Sequence, residues 1–170
     1  MDRVLGYDEI QEIIDKFTEM LTIANRSGKI SEILDKFNID CQQYAYCEYK
    51  TAKVLVIGYS EVSIIDLKRV IRKFGLDEDR FEFVLDEDEI KHYPMNSLKN
   101  NFRYSDIFVG AMPHKTTGMG DCSSIIANIK HHPEEYPKLT ELKEANGLKI
   151  TKKSFSDAIY NSELLKNLSK

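Results

Sequence analysis

The segment Gly110-Ala111-Met112-Pro113-His114-Lys115-Thr116-Thr117-Gly118-Met119-Gly120-Asp121 gathers more potential chemistry than any other stretch of the chain. Its three glycines let a backbone pass close to a ligand and turn N–H groups inward. Thr116 and Thr117 add hydroxyl donors, Lys115 adds a point charge, and His114 adds an imidazole that titrates near neutrality. This set suits an anion, a phosphate above all. A helix beginning near Ser123 would direct its positive end at the same space. The phosphate-loop pattern G-x-x-x-x-G-K-[ST] does not occur, and Gly118-x-Gly120 lacks the third glycine of the dinucleotide fingerprint.

Turnover asks for more than a cradle. His114 and Asp121 are the side chains that could serve as general acid or base, and either would have to reach the bond being broken. The sequence offers no recognised carboxylate pair or catalytic triad beside them. Cys122 would need His114 as its base, and an inert thiol is the simpler reading. A metal held by His114, Asp121, His131 and His132 lacks the i, i+4 spacing of a helix-borne zinc site, so no metal is expected. The segment therefore reads as a binder of a phosphorylated or nucleotide-like molecule, for sensing or sequestration. A hydrolase or glycosyl-bond cleaving enzyme acting on a nucleotide is the alternative.

Three other groups belong to the same expected site. Gly58 and Ser60 follow the apolar run Val54-Leu55-Val56-Ile57. Asp86 follows Phe81-Glu82-Phe83-Val84-Leu85, at the strand end where an acid can hold a ribose hydroxyl pair. It stands 28 positions after Gly58, more than the roughly 20 residues of that motif, and the acidic run Asp86 to Glu89 also reads as a solvated rim. Lys152, with Lys149 and Lys153, would add positive potential beside the cradle or blunt an exposed sheet edge.

Positioning these residues is the task of alternating strands and helices. Val54–Ile57, ending at Gly58, has the continuous apolar, β-branched character of a buried parallel strand. Ser63 is placed to cap a helix carrying Ile64, Leu67, Val70, Ile71 and Phe74, with Gly75 as its stop. Phe81–Leu85 is a second strand and Ile107-Phe108-Val109 a third, again ending in glycine. A helix over 123–130, short strands near 139–142 and 148–151, and a last helix from about Ser154 complete the pattern. Such alternation predicts a parallel sheet covered on both faces, and right-handed crossovers suggest the order 2-1-3-4, with room for a fifth strand. In that order the first and third strands are neighbours whose connections leave in opposite directions, which is where open α/β sheets bind ligands.

From Lys53 to Phe155 the chain resembles Rossmann-type nucleotide-binding domains in outline. The stretches K-V-L-V-I-G, Y-S-D-I-F-V-G-A-M-P-H-K-T-T-G-M-G-D and L-K-I-T-K-K-S-F are similar to a group of uncharacterised bacterial and phage-type proteins. That resemblance implies a Rossmann-like fold and carries no activity with it. The expected architecture is α/β, an open parallel sheet over residues 51–170 preceded by a helical hairpin and linker over 1–50.

The N-terminal region follows a different rule. Ile10, Ile13, Ile14, Phe17, Met20, Leu21 and Ala24 recur at helical spacing, Arg26-Ser27-Gly28-Lys29 interrupts, and Ile30, Ile33, Leu34 and Phe37 resume it. A two-helix unit cannot bury this stripe alone. It is expected either to pack on the α/β domain or to make contacts with another protein, a homo-oligomer included. Tyr44, Tyr46 and Tyr49 mark a polar linker or an edge strand.

Composition bounds the rest. The chain has 170 residues, 42% apolar and 31% charged, enough to bury one core without a disulfide or metal. A net charge of −4 argues against nucleic acid as partner. Apolar runs of about five residues fall far short of the roughly 20 that span a membrane. The first residues have no apolar signal core, and three irregularly spaced cysteines suit reduced thiols, so a cytoplasmic location is expected.

Overall fold

Four short strands form one parallel sheet in the computed structural model, which describes residues 3–39, 51–113 and 122–168, with side chains of the last segment from Ile126 onward. The strands are β1 (Lys53–Ile57), β2 (Phe81–Val84), β3 (Tyr104–Val109) and β4 (Lys138–Glu141). Their order is β2-β1-β3-β4 and every pairing is parallel. Ile57 lies level with Val84 on one side and Val109 on the other, and Val109 with Glu141. This is a Rossmann-like open sheet, with the strand order that the sequence pattern predicts.

Both faces of the sheet are covered, which is why Val54–Ile57 of β1 and Ile107–Val109 of β3 are continuously apolar and do not alternate. On one face Val54, Val56 and Phe108 pack with Leu67, Val70 and Ile71 of α3 (Ile64–Lys73). Phe155 and Ile159 of α6 (Lys152–Tyr160) and Leu164 of α7 (Glu163–Leu168) complete that layer. Phe155 centres an aromatic cluster, its ring 6.0 Å from both Phe81 and Phe108 and 6.3 Å from Phe83. On the other face Leu55, Ile57, Ile107 and Val109 meet Ile90 of α4 (Glu87–His92) and Ile126 and Ile129 of α5 (Cys122–His131).

Local chemistry sets the helix ends. Ser63 Oγ accepts from the Asp66 N–H at 3.2 Å and begins α3, and Gly75, at φ +69°, turns the chain out of it. Thr151 and Ser154 bond reciprocally at the start of α6. The helix therefore begins at Lys152, two residues before the position its apolar pattern suggests, because Ser154 is the third residue of a capping box and not the cap. Asp106, fully buried in β3, accepts from the N–H groups of Glu163 and Leu164 at 2.9 and 3.0 Å and so caps α7.

The fifth strand does not join the sheet. Gly147–Leu148 (β6) turns back in antiparallel pairing on Lys143–Glu144 (β5), with Gly147 at φ +117°. Ile150 then makes a single bridge to Ser60. The turn at 145–146 spends Leu148 on a two-residue hairpin and Ile150 on that bridge.

The chain divides into two compact units, Met1–Ala45 and Tyr46–Lys170. The first contains α1 (Tyr7–Arg26) and α2 (Ile30–Lys36), joined through Gly28 at φ +72°. Phe17 and Phe37 meet edge to face at 5.3 Å. Thr22 and Ala24 are the buried residues of α1, and α2 has none. Among the described residues, no helix is long and apolar enough to cross a membrane. Tyr44, Tyr46, Tyr49, Cys41 and Cys47 lie outside the described residues.

Candidate functional site at the strand ends

The chain leaves β1 through α3 toward β2 on one side, and leaves β3 through α5 toward β4 on the other. The carboxyl ends of β1 and β3 are therefore a topological switch point, the place where open α/β sheets hold ligands. Gly58 and Gly110 sit at these two ends. Gly58 has φ +127°, and a Cβ there would lie 2.9 Å from the Ala111 carbonyl oxygen and from Gly110 Cα. A Cβ on Gly110 would lie 2.8 Å from Ile150 Cδ1 and closer still to Ile150 Cγ1. Gly58 is required because main chain passes against main chain, and Gly110 because the Ile150 side chain packs against it.

That approach is used at once. Gly110 N–H donates to Ile57 O at 2.8 Å, Tyr59 N–H to Ala111 O at 2.7 Å, and Gly58 N–H to Val84 O at 3.1 Å. Glu61 N–H donates to Ile150 O at 3.1 Å. The two loops thus meet above the strands, tied by backbone bonds and backed by the fully buried Ile150. Gly58, Ser60 and Gly110 are brought together at this edge.

Several predicted side chains have local work at this edge. Ser60 Oγ donates to Val62 O at 2.8 Å and accepts from Val62 N–H at 3.2 Å, closing its own turn. Asp86 Oδ1 accepts from the N–H groups of Asp88 and Glu89 at 2.9 and 3.3 Å, so the residue caps α4. Lys152 pairs with Asp66 at 3.0 Å, and that bond, with help from Ser63, holds the Asp66 carboxyl below its ordinary range. With Lys73 and Lys153, over Val70, Phe74 and Ser156, Lys152 lines a cleft of about 470 Å³ between α3 and α6.

His114, Lys115, Thr116, Thr117, Gly118, Gly120 and Asp121 lie outside the described residues, as does the side chain of Ser123, whose backbone is in the first turn of α5. Among the described residues no group of three His, Cys, Asp or Glu could hold a metal ion.

Sequence reasoning did not single out three contributors to this edge. Tyr59 directly follows the β1 glycine and is 37% exposed. Glu61 pairs with Lys149 at 2.7 Å, which raises the lysine's pKa and joins the loop after β1 to the segment before α6. Ile150 fills the space over Gly110. The place of Tyr59 beside Gly58 was a usable signal. The other two depend on pairings across about 90 residues that no local pattern announces.

No family model, no curated protein and no solved structure matches the chain.

Proposed function

We propose that the α/β unit binds a phosphorylated or nucleotide-like small molecule at the loops after β1 and β3. The observation that carries this reading is the strand order, which makes the ends of β1 and β3 a switch point. Two glycines keep the edge free of side chains where the loops meet. The residues from Gly110 to Asp121 would supply backbone N–H groups, with Lys115, Thr116 and Thr117 for a phosphate and His114 as a further donor. Ser123 would act from the start of α5. Both helix N–H groups bonded by Asp86 go to Oδ1, so Oδ2 is the atom that would meet a sugar hydroxyl.

Binding is favoured over turnover because the described part of the site has no acid–base pair. Enzymatic cleavage would rest on His114 and Asp121. The three irregularly spaced cysteines favour reduced thiols and support, in this reading, a cytoplasmic location.

The test is native mass spectrometry of the purified protein followed by thermal shift against a nucleotide panel. A ligand at 100 times its Kd adds about 2.7 kcal/mol of stability. A shift that disappears in Lys115→Ala supports the reading, and the absence of both bound mass and shift overturns it. Product formation from the same panel, lost in His114→Ala, would move the assignment to an enzyme.

A further inference from the structure

Three aromatic side chains of the α/β unit are exposed among the described residues, Tyr59, Phe102 and Tyr160. Phe102 precedes β3, and Tyr160 ends α6, where Lys138 at the start of β4 reaches the neighbouring Asn161 carbonyl at 2.6 Å. Both therefore belong to the amino-terminal edge of the sheet. Tyr59 stands at the other edge, directly after Gly58 and between the loops proposed to bind the ligand. Its backbone is fixed there. The Tyr59 N–H donates to Ala111 O at 2.7 Å, the Gly58 N–H before it to Val84 O, and the Ser60 side chain after it closes the next turn. A chain held from β2 and from the loop after β3 presents its ring with little left to order on binding.

The direction of the ring follows from α4. Lys91 has its pKa raised chiefly by its bond to Glu87, and the Tyr59 phenol adds to that rise, so the ring runs from the end of β1 toward this helix. Ile90 of α4 and Ile126 and Ile129 of α5 cover one and the same face of the sheet. Because β1 lies between β2 and β3, Tyr59 leaves the sheet between Asp86, which caps α4, and the loop that leads from Gly110 to α5. One to two strand spacings, about 5–10 Å, separate the end of β3 from the space over this ring. That is also the reach from the phosphates of a nucleotide to its base. A sugar phosphate or inorganic phosphate held by the loop after β3 would leave the ring in water, whereas a planar base would cover it.

We propose that the site selects a nucleotide over simpler phosphates, with the base stacked on the ring of Tyr59. The proposal rests on the binding reading above and adds the class of ligand to it. Stacking of a base on an aromatic side chain is worth a factor of about 5–150 in affinity. Every base has a π-face, so Tyr59 sets the class of ligand and not which base it carries. The phenol hydroxyl takes no part in stacking, which separates this role from hydrogen bonding.

The experiment is calorimetric titration of the full chain with ADP, GDP and pyrophosphate. At least one nucleotide is expected to bind more tightly than pyrophosphate. Tyr59→Ala is expected to weaken that nucleotide by about 5–150-fold and to leave pyrophosphate unchanged. Tyr59→Phe is expected to keep the wild-type affinity. The chain has no tryptophan, so Tyr59→Trp introduces a single one. Its emission is expected to be quenched saturably by the nucleotide and to stay unchanged with pyrophosphate. Should the alanine variant lose its unfolding transition by circular dichroism, the phenylalanine and tryptophan variants decide. A nucleotide that binds Tyr59→Ala as tightly as the wild type, a marked loss in Tyr59→Phe, or an unquenched Tyr59→Trp overturns the proposal and leaves the binding reading standing. Pyrophosphate that binds as tightly as the nucleotides does the same. A chain that binds neither nucleotides nor pyrophosphate overturns both.

Discussion

Asp106 shows how one residue can tie two distant elements together at a cost. Its carboxylate is fully buried and accepts from Glu163 N–H, Leu164 N–H and, at 2.8 Å, Ser105 Oγ. Burial is the largest influence and pushes its pKa up, while the amide and hydroxyl bonds draw it partly back. A carboxyl whose folded pKa is raised binds its proton more tightly in the native state than in the unfolded chain. Its contribution is therefore largest at low pH and declines as pH rises from the unfolded value, about 3.9, through the folded one. Asp106→Asn keeps the shape but replaces one acceptor oxygen by a donor, and is expected to cost about 1–3 kcal/mol. That cost should shrink as pH rises from about 4 toward neutrality. Urea denaturation of both proteins across that range checks this; a cost that grows with pH would mean the buried carboxylate is net stabilising as an anion.

Among the elements, α6 is the piece that joins the sheet core to the candidate edge. Phe155 and Ile159 lie in the core, while Thr151 at its start bonds Ser154 and, at 2.8 Å, Glu144. Thr151→Ala removes the cap and is expected to cost about 0.5–2 kcal/mol, most of it restored in Thr151→Ser. Thermal unfolding would read the difference, and an unchanged midpoint in the alanine variant would remove the cap from this account. The same element shows what was legible in the sequence. The two central strands and the cap at Ser63 could be read because their signals are local: a continuous apolar run, a serine ahead of an apolar period, a glycine at its end. Residues 148–150 could not be placed correctly, because a short Leu-Lys-Ile alternation looks alike whether it pairs in a sheet, closes a hairpin or fills the space over a glycine. Asp86 reads as an acid at a strand end or as part of a solvated rim, and the structure makes it a helix cap. An aspartate just ahead of an acidic first turn is a cap signal, and the structure uses Asp86 in that way.

At the scale of the whole molecule, an apolar two-helix unit precedes an open parallel sheet whose switch point is held by Gly58 and Gly110. The glycines were legible as residues demanding close approach. What approaches them was not, since Ile150 arrives from 40 positions beyond Gly110 and Tyr59 pairs with Ala111 across 52. The proposed function rests on this edge being the binding face. The measurement that tests it most directly is a titration of isotope-labelled protein with ADP, followed residue by residue through the backbone amide resonances. Concerted, saturable shifts of Gly58, Tyr59 and Ser60 together with Gly110, Ala111 and Met112 are the predicted result. Shifts confined to Lys73, Lys152 and Lys153 in the cleft between α3 and α6, or none at all, would contradict it.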